Sequence, residues 1–289
     1  MLFELFGRYL IENNKIDEEQ YSKLEELYLS SRVKLGLIAV AERMLTEQQA
    51  EEINAKQAIV DKKFGDIAIE LGYLTAYHVS ELLSKQGSSY MKMCQALSDL
   101  GIMNPQETER MFNAFVFDMD GIEVINELKA DDIDAYTSLY LPEKYSSYEV
   151  LVQIAVRTIS RIVSNRIYVE KAQMVSAVNH KAIAFLTMHG DKNVMFGMYS
   201  DDDAILKIAE GYAKFDFDEV DEDALDAVGE FINIINGLYA TALSYNDSKV
   251  ELDVPDYRME ERTVSNDNDI CLMPVIIEGK KIYIFASVN

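Results

Sequence analysis

Between residues 5 and 115 apolar positions come in short blocks, each followed by a polar residue and a second stretch with apolar positions at helical spacing. Ile67-Ala68-Ile69-Glu70-Leu71-Gly72 is one such block, and Thr75 then precedes Val79, Leu82 and Leu83. A Thr, Asn or Asp at that junction is a good helix N-cap, because its side chain accepts from the unpaired amides of the first turn. The pattern recurs at a fixed step of 29 residues. Lys34-Leu35-Gly36 returns as Lys63-Phe64-Gly65 and, degraded, as Lys92-Met93-Cys94, while Gln57 returns as Gln86. Leu45-Thr46 returns as Leu74-Thr75 and Met103-Asn104; one step back, Gly7 and Ile16-Asp17 occupy the matching places. The pattern predicts four helical hairpins over residues 1–115. No single hairpin can bury its own apolar stripe, so the copies must pack on one another, with Gly36 and Gly65 at close approaches.

The pattern then weakens. Residues 116–145 are acidic and irregular (Asp131, Asp132, Asp134) and read as a connector. From residue 146 to 289 a different order appears. A helix is expected over 150–163, strands over 167–175, 182–188 and 194–199, and helices over 204–215 and 224–244. Strands over 249–254 and 271–288 close the chain, the last turning at Glu278-Gly279. Helices and strands fall in blocks, so the class is α+β with a mainly antiparallel sheet.

The helix over 224–244 carries the candidate chemistry. At 100° per residue Val228, Phe231, Ile232, Ile235, Leu238, Tyr239 and Leu243 fall on one side. Asp226, Glu230, Asn233, Gly237, Thr241 and Ser244 fall on the other, within an arc of roughly 80°. Glu230 and Asn233 are one turn apart and can act on one object. Gly237 costs the helix about 1 kcal/mol against Ala, and leaving room for another protein's backbone would compensate. Glu-x-x-Asn alone is a weak signal, since Glu51/Asn54 and Glu123/Asn126 repeat it.

Composition narrows the partners. The net charge of −23 leaves no basic cluster able to displace counterions from nucleic acid or to hold an anionic membrane surface. No apolar run reaches the length of a membrane span, and residues 1–10 read as an amphipathic helix rather than a signal peptide. Cys94 and Cys271 lack metal-ligand spacing and suit a reducing cytosol, so a cytoplasmic location is expected. Residues 201–230 hold twelve acids against Lys207 and Lys214. Asp216, Asp218, Asp221 and Asp223 lack the glycine and closing Glu of an EF-hand, so no metal site is expected; capping of the long helix is.

Three resemblances follow from these strings. Asp226-x-x-x-Glu230-x-x-Asn233, with Pro255 22 positions later, resembles the signature of the CheC/CheX/FliY chemotaxis phosphatases, over residues 145 to 289. The first helix, Leu151-Val-Gln153-Ile-Ala-Val156, lacks a second Glu/Asn pair, which implies a CheX type with one active helix. The resemblance implies a phosphatase for an aspartyl-phosphorylated, CheY-like response regulator. Asn233 would place a water and Glu230 would pair with a regulator cation, while Asp226 and Gly237 would be partner contacts. It implies no cofactor of the protein's own, Mg²⁺ being carried by the regulator, and leaves room for a homodimer through the C-terminal domain. A non-catalytic adaptor docking at a flagellar or signalling complex is the alternative.

Residues 34 to 86 resemble the N-terminal domain of secretion and pilus assembly ATPases, some of which bind cyclic di-GMP. That resemblance makes Lys34, Gly36, Lys63 and Gly65 candidate ligand contacts, although Lys replaces the family's Arg and cannot make its planar fork, and Arg43 stands where Gly72 keeps the glycine. Phe115-Val116-Phe117-Asp118-Met119-Asp120-Gly121 resembles the nucleophile strand of haloacid-dehalogenase-type phosphatases. Ile122 departs from that pattern and no doubly wound domain follows, so the end of an element is expected there.

Overall fold

The structure, a computed structural model, describes residues 1–30, 32–60, 62–141 and 146–288. The chain divides into two compact units, meeting at 132/133.

The first unit is helical: α1 (Leu2–Glu12), α2 (Glu18–Ser30), α3 (Leu35–Ala41), α4 (Glu47–Gln57), α5 (Phe64–Glu70), α6 (Ala76–Ser84), α7 (Ser89–Asp99) and α8 (Pro105–Asp118). These are four hairpins, and their boundaries repeat chemically. Asp17, Thr46, Thr75 and Asn104, each 29 residues apart, cap the second helix of each hairpin. Their side chains accept from the amides of Gln20, Gln49, His78 and Glu107 at 2.8, 3.2, 3.2 and 2.9 Å. Each of those residues reaches back to the amide of its cap, closing the box. Such a cap contributes about 1 kcal/mol. The first helix of each hairpin ends on a left-handed residue at the same step: Asn14, Arg43, Gly72 and Gly101, with φ of 53°, 58°, 72° and 67°.

Packing does not follow chain order. The first hairpin lies on the fourth, where Phe6, Phe112 and Phe115 cluster with ring centroids 5.3 to 5.7 Å apart. The second lies on the third. A glycine permits that contact: a Cβ at Gly36 would stand 2.9 Å from the Phe64 ring; within the third hairpin, one at Gly65 would stand 2.8 Å from Val79.

The segment expected as a connector is folded. After α8 come a 3₁₀ turn (Ile122–Val124) and α9 (Ile125–Lys129) in the first unit, and α10 (Ile133–Leu139) in the second. Residues 142–145 lie outside the described residues.

The second unit is α+β. Its helices are α10, α11 (Ser146–Ile162), α12 (Leu206–Ala213) and α13 (Glu222–Ser244). Its strands are β1 (Ile167–Val169), β2 (Gln173–His180), β3 (Ile183–Gly190), β4 (Val194–Tyr199), β5 (Val250–Leu252), β6 (Asp256–Arg258), β7 (Arg262–Ile277) and β8 (Lys280–Val288). The sheet runs β1-β7-β8-β4-β3-β5, with β2 also on β7 and β6 also on β3, and the described pairings are antiparallel. Glu278 and Gly279, both at positive φ, turn β7 into β8 as expected. Along β3 and β4, Ala184, Leu186, Met188, Phe196 and Met198 are buried. The alternate positions Ile183, Phe185, Met195 and Tyr199 join Val178, Val264 and Phe285 in a separate cluster.

Two departures from the expected strands have local causes. The strand expected over 249–254 is the short β5, and β6 begins only after Pro255, which has no amide to give to a ladder. The strand expected from 271 begins at 262, because Arg262–Leu272 pairs with β2 as a ribbon. Its sequence runs through the polar string Ser265-Asn-Asp-Asn-Asp269, so it carries little apolar alternation even though Val264, Ile270 and Cys271 are buried.

Candidate functional site

The long helix α13 is held by both ends of its own sequence logic. Asp221 caps it, its Oδ1 accepting from the Ala224 amide at 2.8 Å, and Glu222 and Asp223 complement the positive first turn. Val228, Phe231, Ile232, Ile235, Tyr239 and Leu243 are buried and fasten the helix to the rest of the unit. Gly229 is needed for that seating. A Cβ there would lie 3.1 Å from the Pro255 Cβ, so Pro255 of the candidate signature rests directly on the helix backbone. A mid-helix glycine immediately before Glu230 was the signal for this contact.

The opposite face is the one the spacing predicted. Asp226, Glu230, Thr241 and Ser244 are exposed, and Asn233 and Gly237 are half-exposed. Neither the Glu230 carboxylate nor the Asn233 carboxamide has a hydrogen bond or ion pair to another described residue, so both are free to meet something outside the chain. Asp226 stands by Tyr257 of β6. The Asp226 charge, with desolvation and the charges of Glu222 and Asp223, pushes the Tyr257 phenol above its ordinary range. A Cβ at Gly237 would meet nothing within 4 Å, so nothing in the chain itself requires a glycine there.

Leu238 is the exception to the expected apolar side. It is 40% exposed, and it opens onto a groove between α11 and α13. On α11 the polar side chains at the place of a second active pair are already engaged: Gln153 Nε2 donates to Ser138 Oγ at 2.9 Å, and Ser138 Oγ donates to Glu149 at 2.6 Å.

In the first unit Lys34 and Gly36 line a cavity of about 840 Å³ together with Glu47, Glu51, Phe64 and Asp99. Lys34 is committed within the chain: its Nζ pairs with Asp99 at 3.2 Å, and its amide donates to Gln95 Oε1 at 3.0 Å. Lys63 and Gly65 are not among the residues lining it, and Arg43 pairs with Glu109 at 2.9 Å. The strand-like string at 115–121 is the end of α8: Asp118 is its last residue, accepting from the Tyr9 hydroxyl at 2.9 Å, and Asp120 lies at φ 56°. Among the described residues no three His, Cys, Asp or Glu side chains gather as a metal site, and no helix is long and apolar enough to cross a membrane.

Residues 182–272 match the family model described as chemotaxis phosphatase CheX. No curated protein sequence matches the chain. Solved structures similar to it include a chemotaxis protein CheX from Desulfovibrio desulfuricans, at 16% identity and a TM-score of 0.43, covering 49% of this chain and 98% of that one. A CheC-like superfamily protein from Shewanella is 16% identical with a TM-score of 0.43, covering 48% and 94%. A CheX–CheY–BeF3–Mg complex from Borrelia burgdorferi is 18% identical with a TM-score of 0.43, covering 49% and 96%. The matched stretch contains all of α13, with Glu230 and Asn233 on its open face, and the C-terminal unit of this chain is a CheX-like domain.

Proposed function

We propose that the C-terminal unit hydrolyses the aspartyl phosphate of a CheY-like response regulator in chemotaxis or a related two-component system. The observation that carries the reading is the pair Glu230 and Asn233. They stand one turn apart, open to solvent and unengaged by described neighbours, on the long helix inside the CheX-matched stretch.

An acyl phosphate is already reactive, and the regulator brings its own Mg²⁺ and lysine. A helper need only place a water in line with the phosphorus. The Asn233 carboxamide offers one acceptor and two donors, enough to fix a water without becoming a nucleophile. The water oxygen attacks phosphorus, the P–O bond to the regulator's aspartate breaks, and that carboxylate leaves with the bonding pair. Inorganic phosphate and a proton to solvent complete the balance. Glu230 pairs with the regulator's cation and so anchors the complex in register.

The test is phosphate release from the CheY-like regulators of the same genome, each phosphorylated with acetyl phosphate. Asn233→Ala is expected to cut turnover at least tenfold with unchanged folding, since its side chain is half-exposed and supports no neighbour. Near-normal turnover by that variant would sink the assignment.

A further inference from the structure

Phe231 and Leu238 of α13 and its C-cap residue Tyr245 form one stripe, seven residues apart and so on nearly the same side. Their exposure climbs along the helix, from 0% at Phe231 to 40% at Leu238 and 84% at Tyr245. Tyr212 of α12 packs on Phe231 with centroids 6.0 Å apart, while toward the C-terminal end of α13 the apolar stripe is uncovered.

What lies beside it is a groove of about 530 Å³, walled by Leu238, Ala242 and Tyr245 on α13 and by Ile154, Arg157 and Arg161 on α11. Thr241 belongs both to this groove and to the arc of Glu230, Asn233 and Gly237, so the two surfaces are continuous. Leu238 is about 7.5 Å along the helix from Asn233 and roughly 140° round it, with Thr241 between the two surfaces. The groove's charge is unlike that of the chain, which has 50 acids against 27 Lys and Arg. Arg157 is ion-paired with Asp134, while Arg161, one turn on and exposed, has no ion pair among the described residues. An apolar floor with a free guanidinium at its edge, beside an aromatic ring, has the composition of an interface core.

We propose that this groove is the docking and selectivity surface for the phosphorylated regulator, receiving a segment with an apolar side chain and a carboxylate about one turn away. The apolar group fills the space between Leu238 and Ile154, and the carboxylate pairs with Arg161. This rests on the reading of Glu230 and Asn233 as the hydrolytic pair. It adds where affinity resides: the α11–α13 groove binds, and the face with Asn233 reacts. The single positive edge also selects against regulators that present a cation there, since like charges repel, and gives no ion pair to those lacking the acid.

The experiment compares Arg161→Glu and Leu238→Ser with wild-type in steady-state phosphate release from acetyl-phosphate-charged regulators. Calorimetry against the beryllofluoride-loaded regulators runs in parallel. Both substituted side chains are exposed, and thermal melts check folding. KM and the dissociation constant are expected to rise about tenfold in each variant, with kcat unchanged. The contribution of this contact to the salt dependence of KM should reverse in Arg161→Glu, because salt screens an ion pair in the wild-type and a like-charge repulsion in the variant. Unchanged KM and affinity in both variants, while Asn233→Ala abolishes turnover, overturns the groove and leaves the phosphatase reading standing. A fall in kcat at constant KM overturns it too, as does a dimer dissociated by Leu238→Ser with regulator affinity unmoved. If wild-type hydrolyses none of the regulators, the phosphatase reading fails. The groove is then judged by calorimetry alone, upheld by a tenfold loss in Arg161→Glu and overturned by no binding.

Discussion

Gly237→Ala should move stability and function in opposite directions. Gly237 sits in the interior of α13, with helix on both sides, and a Cβ at its position would meet no atom within 4 Å. The substitution therefore adds a methyl without a clash and removes the entropic cost of a mid-helix glycine, a gain of about 1 kcal/mol. In a unit of this size that corresponds to a rise of roughly 2–4 °C in Tm. Gly229→Ala is the contrasting control. Its Cβ would press on Pro255 at 3.1 Å, so the same chemical change there should destabilise, by about 1–3 kcal/mol. On the functional side, a methyl at Gly237 stands where the regulator's backbone is expected to approach. Overpacking by one methyl at about 1.4 kcal/mol would lower kcat/KM about tenfold. Thermal melts and phosphate release on the same preparations read both arms. No stabilisation would refute the helix argument. Stabilisation with unchanged kcat/KM would refute close approach at this face.

Two further outcomes concern the first unit. Arg43 holds the left-handed position that glycine occupies at Gly72 and Gly101, so Arg43→Gly should relieve backbone strain and, after loss of the Glu109 pair, stabilise the unit by up to about 1 kcal/mol, seen as a higher denaturation midpoint. Cyclic di-GMP should bind weakly or not at all, since the cavity at Lys34 carries Glu47, Glu51 and Asp99 and the lysine is ion-paired within it. Sub-micromolar calorimetric binding, lost in Lys34→Ala, would overturn this.

What could be read from the sequence was what is decided locally. The caps at Asp17, Thr46, Thr75 and Asn104 each act within three residues, so a 29-residue step exposes them without any knowledge of packing. The face of α13 was legible for the same reason, as helical geometry alone sorts Asp226, Glu230 and Asn233 from Phe231 and Ile235. Pairings distant in the chain were not. Nothing near Phe6 announces Phe112, and the first half of β7, which pairs with β2, runs through the polar string Ser265-Asn-Asp-Asn-Asp269 that gives no strand pattern. The helices α9 and α10, five and seven residues long, are shorter than the window in which a helical period can be recognised. Leu238 has the periodicity of Phe231 and so sorts with the core; its exposure is decided by what packs beside it, which periodicity does not carry.

The place of β8 has a consequence for biosynthesis. It follows every other described strand in the chain, yet it lies between β7 and β4, with Phe285 opposite both Leu272 and Gly197. Until residues 280–288 emerge from the ribosome, β1, β2 and β7 have no hydrogen-bonded path to β3, β4, β5 and β6. The helical unit, built from earlier and more local contacts, can fold while synthesis continues. The helix bearing Asn233 packs on β3, β4, β5 and β6, all of which precede β8 in the chain. A nascent chain stalled before residue 280 would present folded repeats and an unfinished sheet with open, aggregation-prone edges.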